Sequence, residues 1–404
     1  MLGQLSGVYF RAYKVAFDAA QQAERAFRFE RGDQSSAFIE FSYWDSLKNG
    51  LFAGERLLLD LRRMEAAYVE GDRRSMEVTR HISLRQDYPI ALIELLASGR
   101  CQIAVSEGLL DGDFPGHYFR RVKTASLTIT GTLRPHTNVN CTLTLLENRI
   151  RTDANASGSY AQAADADDQR FLVNVAPIQA VATSKPEADA GLFQLRFDDE
   201  RYLPFEGAGA ISTWRIELRQ ADNAIDISQL TDVVLTLAYT ARNGGAALEA
   251  AARAEREKGL ARGGIKPEPQ HFVSLKRDVP AAWKKLEETA SGQEVEVQLP
   301  LEANRFSGRY RDLDLRIERV TAFAIPRGQA GADVLKLRLD PPKGSGTEIA
   351  GWAPPWPQSK ILRASGEASG PAGAWKLAVS ATGAKIPDIV DDIVLVFEVR
   401  ARKS

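Results

Sequence analysis

The densest group of side chains able to do chemistry is Asp198-Asp199-Glu200 followed by Glu206. Two carboxylates facing each other across a cleft on a β scaffold are what glycoside hydrolysis requires. Adjacent acids within one turn serve equally well to end a strand in water, so a catalytic pair here would need a cleft that brings Asp198 and Glu206 together. The four histidines, His81, His117, His136 and His271, stand apart and none lies in an HExxH or other ligand spacing. Asp153, Asp165, Asp167 and Asp168 are close in sequence but lack the DxDxDG order of a calcium loop. Cys101 and Cys141 form no CxxC and read as two small buried residues. There is no GxSxG elbow, no GxxxxGK[ST] loop and no GxGxxG, of which Gly207-Ala-Gly209 is a fragment. The expectation is no catalytic residue, no cofactor, no metal and no enzyme.

The elements that would carry such groups come from a chain of 404 residues, long enough for two or three domains. Hydrophobic residues at 44% and charged residues at 26% are ordinary for a folded protein. Lys plus Arg number 52 against 53 Asp plus Glu, so no long-range field draws in nucleic acid or an anionic membrane. The first residues carry no basic segment followed by an apolar one, and no run approaches the ~20 apolar residues that span a bilayer as a helix.

Leu5, Tyr9, Tyr13, Ala16, Ala20, Ala23 and Phe27 recur in steps of three and four, which predicts a long helix over 3–31 ended by Gly32-Asp33. A second helical pattern runs over 51–68, and its Gly71-Asp72 stop closes a hairpin or stem. The small face formed by Ala16, Ala19, Ala20 and Ala23 admits a close neighbour, either the second helix or another copy. Past Gly71 the period shortens to two. Strands are expected at 76–84, 123–130, 140–146, 192–197, 213–218 and 233–239, with a short helix at 88–96, a pattern that favours an antiparallel sandwich. Residues 151–170, rich in Asp, Ala, Ser and Gly, read as a solvated surface loop. An Ala-rich, charge-laced helix follows Gly244, and further strands at 294–299, 312–324, 334–339, 375–379 and 393–399 outline a second β domain. The fold class is therefore mainly β with an N-terminal α-helical stem, an antiparallel β-sandwich and then a second β-rich domain. Its boundaries are 1–72, 73–245, a helical linker at 246–264, and 265–404.

Three long segments, Gly112–Ile129 (GDFPGHYFRRVKTASLTI), Thr137–Thr152 and Asp198–Arg219 (DDERYLPFEGAGAISTWRIELR), resemble the C-terminal region of Tc toxin A subunits. The resemblance extends upstream through Ala23–Glu30 and Gly50–Arg74 and downstream to Val233–Gly245; His271–Leu286 is similar to a continuation in Tc toxin A-related proteins. It implies the end of the channel helices of a pentamer, followed by the domain that docks TcB of a TcB–TcC cocoon. It further implies synthesis in a bacterial cytoplasm and release into an extracellular toxin complex. The shell, receptor-binding and channel-tip regions of the family are missing here, so pore formation is not expected of this chain alone. The chain starts within family-like helix, as a piece of a larger subunit or a truncated reading frame would.

The residues expected at an interface are Arg120, Arg121, Arg201, Phe205 and Glu206. Pro204, Gly207 and Gly209 shape a tight loop with Phe205 and Glu206 at its tip, while Tyr202 and Trp214 read as core. Arg120-Arg121 is read in two ways, as a brace to carboxylates of a neighbouring protomer or as an exposed strand face. The leading reading is a non-enzymatic, oligomeric platform for a TcB-like partner. The alternative is a β-sandwich module for glycans or cell-surface ligands, which exposed Trp352 or Trp356 would favour.

Overall fold

The computed structural model describes residues 2–33, 35–44, 50–71, 74–131, 139–156, 159–162, 168–184, 192–196, 203–219, 223, 230–262, 270–306, 313–327, 335–355 and 361–403. Helix α1 (Leu2–Arg31) stops where Gly32 adopts φ +71°, a left-handed conformation that costs glycine nothing. Helix α2 (Ala53–Glu70) packs on it. Tyr13 and Ala20 of α1 meet Ala53 and Leu57 of α2, with Ile39 and Tyr43 of the connecting segment wedged alongside. Glu24 is buried in this stem and accepts from the backbone N–H groups of Phe38 and Ile39, so its charge is hydrogen-bonded. Of the alanine face, only Ala20 is buried; Ala16, Ala19 and Ala23 point to solvent.

The first β-rich unit contains β1 (Met76–Ser83), α3 (Leu84–Asp87), α4 (Pro89–Ser98), β2 (Arg100–Val105), α5 (Glu107–Asp111), β3 (His117–Gly131), β4 (Val139–Arg151), β5 (Phe171–Asn174), β6 (Ile178–Ser184), β7 (Leu192–Arg196), β8 (Ile211–Glu217) and β9 (Leu230–Asn243). One antiparallel sheet has the order β1-β9-β3-β7 and the other β2-β8-β4-β5, with β6 also pairing β4. Alternation on the strands sends Ile82, Leu127, Ile129, Leu235 and Leu237 of one sheet and Ile103, Leu143, Leu145 and Trp214 of the other into a single apolar core. Cys101 and Cys141 lie in it as free thiols; burial raises both, Cys141 to about 12, so neither is a nucleophile at neutral pH.

Two connecting segments pack more closely than their composition shows. The helix α6 (Gly245–Arg262) joins the two units, and its Leu248 and Ala252 are buried against Tyr118 and Phe119. The segment after β4 is tied down as well: Arg151 and Tyr160 are both buried. Asp165 and Asp167 lie outside the described residues.

The second unit contains β10 (Gln270–Ser274), α7 (Leu275–Asp278), α8 (Pro280–Glu288), β11 (Val295–Leu301), β12 (Leu313–Pro326), β13 (Leu335–Asp340), β14 (Thr347–Ala353), β15 (Leu362–Pro371), β16 (Gly373–Ala381), α9 (Ile386–Ile389) and β17 (Val390–Lys403). Its strands join in the order β10-β17-β12-β15-β14-β13-β16-β11, around a core that holds Val297, Leu299, Ile317, Trp375 and Leu395.

His271 on β10 lies with its ring 4.7 Å from that of Phe306, tilted by 39°, and burial pushes it from 6.5 down to about 4, with Asp278 opposing and Arg85 and Arg305 adding to the shift. Between those two values the unfolded chain takes a proton that the folded chain refuses. Stability from this group is therefore complete above pH 6.5 and lost as the pH falls toward 4. His271→Phe should remove that acid sensitivity, by on the order of 2 kcal/mol. Urea unfolding at about pH 7.5 and about pH 4.5 checks it, and equal acid losses in both proteins would contradict it.

Candidate functional site

The segment that carries the sequence resemblance folds into a loop, 203–210, laid against β3 and β4. Its backbone is held at both ends of Val122: Val122 N–H donates to Ala208 O (2.7 Å) and Gly207 N–H to Val122 O (2.9 Å). Ala210 N–H donates to Arg120 O (3.0 Å), and Gly209 N–H to Asn148 Oδ1 (2.8 Å). Gly209 lies so close to β4 that a Cβ would stand 2.1 Å from Arg149 O, which restricts that position to glycine. Phe205 is buried, with its ring edge-on to Trp214 at 4.9 Å, and only Glu206 of the tip faces solvent.

Next to this loop, reached through Arg120, is a largely buried charged cluster. Arg120 is 2% exposed and donates to Asp111 Oδ1 (2.5 Å) and Phe114 O (3.0 Å), with Glu107 at 3.8 Å. Arg151, 1% exposed, donates to both carboxylate oxygens of Glu107 (2.8 and 2.9 Å) and lies over the rings of Tyr160 and Phe171. Tyr160 O–H donates to the second oxygen of Asp111 (2.6 Å). Burial works against the charge on Arg120, but Asp111 and Glu107 outweigh it and hold the guanidinium protonated. Tyr160 is raised far above its ordinary value by burial and by the same acids, so it remains a donor. Two cations meet two anions with no nucleophile or titrating histidine among them. The arrangement ties β3, β4 and α5 together through paired charges.

A second arginine group joins the stem to the β-rich unit. Arg121 lies over Phe29 (4.6 Å) and donates to Glu30 O (3.5 Å) and Gly207 O (3.3 Å). Arg242 lies over Phe119 (4.0 Å) and donates to Arg31 O (3.1 Å). Arg31 lies over Tyr68 (4.1 Å) and donates to Gly71 O (3.1 Å), bracing α1 against the end of α2. Phe119 takes φ +50°, an unusual conformation for a bulky residue, and its ring occupies the place where a side chain on Gly32 would be. A cleft of about 980 Å³ opens at this joint, lined in part by Phe27, Arg31, Asp33, Tyr118, Asp153 and Arg242.

Arg120 and Phe205 thus differ from the surface contacts expected of them. Arg120 finds its carboxylate on Asp111 of the same chain, and Phe205 is buried on Trp214 because the glycines fold the tip inward. Arg121 faces the stem. Arg201, Tyr202 and the acids Asp198, Asp199 and Glu200 lie outside the described residues, as do His136 and Trp356. Trp352 is half-buried and donates its indole N–H to Leu335 O (3.0 Å). Among the described residues no three of His, Cys, Asp and Glu converge as a metal site would need. Gly32, Phe119, Glu107, Asp111, Tyr160 and Arg242 were not singled out as site residues, because their partners lie on distant segments.

A family model for the Tc toxin complex TcA C-terminal TcB-binding domain matches residues 1–241. The chain belongs to this family. The match takes in the stem, Arg31 and Arg121 of the arginine joint, and the first β-rich unit up to Ala241 of β9, one residue short of Arg242. Toxin subunit YenA2 of Yersinia entomophaga is 32% identical over 251 residues, 60% of this chain and 18% of that protein. The chain thus spans less than a fifth of that relative. Among solved structures, Morganella morganii TcdA4 is 24% identical over 59% of this chain and 10% of its own, with a TM-score of 0.38. Yersinia pseudotuberculosis TcaA-TcaB is 23% identical over 60% of this chain and 14% of its own, with a TM-score of 0.41.

In this TcA-family domain, Asp111→Asn should cost about 3–5 kcal/mol by leaving Arg120 buried beside a neutral amide. Glu206→Ala at the exposed tip should stay within about 0.5 kcal/mol. Denaturant titration of the two variants checks the contrast, and equal effects would refute the buried cluster.

Proposed function

We propose that this chain is a non-enzymatic component of a bacterial toxin complex, an oligomeric platform that docks a TcB-like partner. The first unit acts as a β-sandwich head on a helical stem. The family match over residues 1–241 supports the partner, since it covers the stem and head together.

The single observation that carries the oligomer is the apolar surface of the stem. Phe41, Val15, Val69 and Leu59 are 82%, 71%, 70% and 61% exposed in the monomer, with Val8, Leu51, Phe52 and Leu58 also above one half. A stem that exposes this much apolar surface beside the small residues Ala16, Ala19 and Ala23 is suited to cover it with further copies of itself. By family resemblance the assembly is a pentamer. Its repeated heads multiply weak contacts to one partner, with Glu206 and the 203–210 loop on the docking side. No helix of the described residues is long and apolar enough to cross a membrane, and the role assigned here needs none. The complex acts outside the producing bacterium.

Light scattering on the purified chain, alone and with a TcB–TcC cocoon, tests both parts. The expected result is a pentamer that gains one cocoon. A monomer that ignores the cocoon would overturn the reading. Leu59→Glu with Val69→Glu should dissociate the pentamer while leaving the far-UV circular dichroism of the head intact.

A further inference from the structure

The family match stops at residue 241, yet the hydrogen bonds at the start of the second unit repeat those of the first. Ser83-Leu84-Arg85-Gln86-Asp87-Tyr88-Pro89 leads from β1 through α3 into α4, and Ser274-Leu275-Lys276-Arg277-Asp278-Val279-Pro280 leads from β10 through α7 into α8. Ser83 Oγ accepts from Gln86 N–H (3.1 Å) and donates to Asp232 Oδ2 (2.6 Å), while Arg85 N–H donates to Asp232 Oδ1 (2.9 Å) and Ser83 N–H to Asp87 (3.2 Å). Ser274 Oγ accepts from Arg277 N–H (3.1 Å) and donates to Asp392 Oδ2 (2.5 Å), while Lys276 N–H donates to Asp392 Oδ1 (3.1 Å) and Ser274 N–H to Asp278 (2.8 Å). The residue before each proline even shares its backbone angles, φ −141°, ψ 57° at Tyr88 and φ −131°, ψ 58° at Val279.

The sheets repeat in the same way. The order β1-β9-β3-β7 recurs as β10-β17-β12-β15, and β2-β8-β4-β5 as β11-β16-β13-β14. Trp214 stands opposite Ile103 in the first and Trp375 opposite Leu299 in the second. The bulge after Val122, opposite Tyr239, recurs after Ile317, opposite Val399. Shared fold class alone does not reproduce a serine cap, its distant aspartate, a bulge and a core tryptophan at equivalent registers.

The units differ in the extra strand β6 of the first and in the β14–β15 pairing that joins the two halves of the second, and they differ most in polarity at their mutual contact. Phe272, Phe323, Val394 and Val396 point out of the second unit's first sheet into the apolar cluster of the first unit, which includes Ile93 of α4 and the flanking Tyr88 and Leu96. Register places His81, Thr128, Val234 and Thr236 at the equivalent positions of the first unit, a mostly polar face. The helices show the reverse: Ile93 and Leu96 of α4 correspond to Lys284 and Glu287 of α8, which are exposed. Arg85 pairs with Asp278 and lies over Phe272, and Arg277 donates to Leu230 O (2.6 Å) across the same contact.

We infer that residues 270–403 are a second, diverged copy of the 76–243 domain, and that the outer face of β10-β17-β12 is a docking surface for helix α4 of the first copy. The contact is head-to-tail and would propagate if both copies carried both apolar faces. Polar residues on the free sheet of the first copy and the free helix of the second end it after two, as capping repeats do. The inference stands apart from the docking of TcB and from the stem.

Grafts between equivalent positions in the full chain test it, because each graft introduces residues that the other copy accommodates. Phe272→His with Phe323→Thr and Val396→Thr should keep the far-UV circular dichroism but lower amide-exchange protection of α4 by at least about tenfold. Ile93→Lys with Leu96→Glu should do the same to β10 and split thermal unfolding into two transitions. Wild-type protection in both grafts would overturn the docking surface. Loss of all regular structure in both would overturn the equivalence of the copies.

Discussion

The end of α1 is where the stem is joined to the first β-rich unit. A helix leaves its last carbonyls without partners and carries negative charge there, so cations are favoured at that end. Here the cations come from the β-rich unit: Arg121 reaches Glu30 O, and Arg242 reaches Arg31 O from a strand more than two hundred residues away. Both guanidiniums also lie on aromatic faces, Phe29 and Phe119, which shields them from competing water. Gly32 makes this possible, because the Phe119 ring occupies the space a side chain would need. The stem is thereby fixed in direction relative to the sheets of the first β-rich unit.

Burying charge in the Arg120 cluster has a specific result. A hydrophobic core of the same size would hold the sheets as well, since desolvating ions costs about as much as their pairing returns. What the ions add is that each loop has one acceptable position. Arg151, Glu107 and Tyr160 bring the end of β4, the start of α5 and the following loop to Arg120, and any shift strands a charge. The surface presented around Glu206 is held by groups that never reach it. This is consistent with a docking platform, which works by keeping a shape.

The two β-rich units add a second kind of order. Their shared serine–aspartate network pins the turn from first strand to helix in both, while their facing surfaces have diverged into one apolar contact. Repeat interfaces normally continue until something stops them, and here the stop is polar substitution on the faces left free. The stem keeps much aliphatic surface in water, with Val15, Leu59 and Val69 each more than half exposed, and that surface is the basis of the proposed self-association.

Periodicity alone placed the helices at 3–31 and 51–68 and most of the long strands, because burial of one face writes itself into local spacing. The glycine stops at Gly32 and Gly71 and the family segments from Gly112 to Arg219 were legible for the same local reason. The described part of the Asp- and Ala-rich stretch after Arg151 is irregular and mostly exposed or half-buried, as its composition suggests, but Tyr160 within it is buried through Asp111 on another element, which the composition does not show. Arg120 and Phe205 were read as surface because a strand pattern gives alternation without saying which side is covered. The sequence by itself determined the stem helices, most of the long strands and the family; tertiary structure alone decided the short elements, which charges are buried, which arginines hold the stem and that the last 130 or so residues repeat the first domain. Burial and charge pairing are set by residues distant along the chain, and no local window contains them.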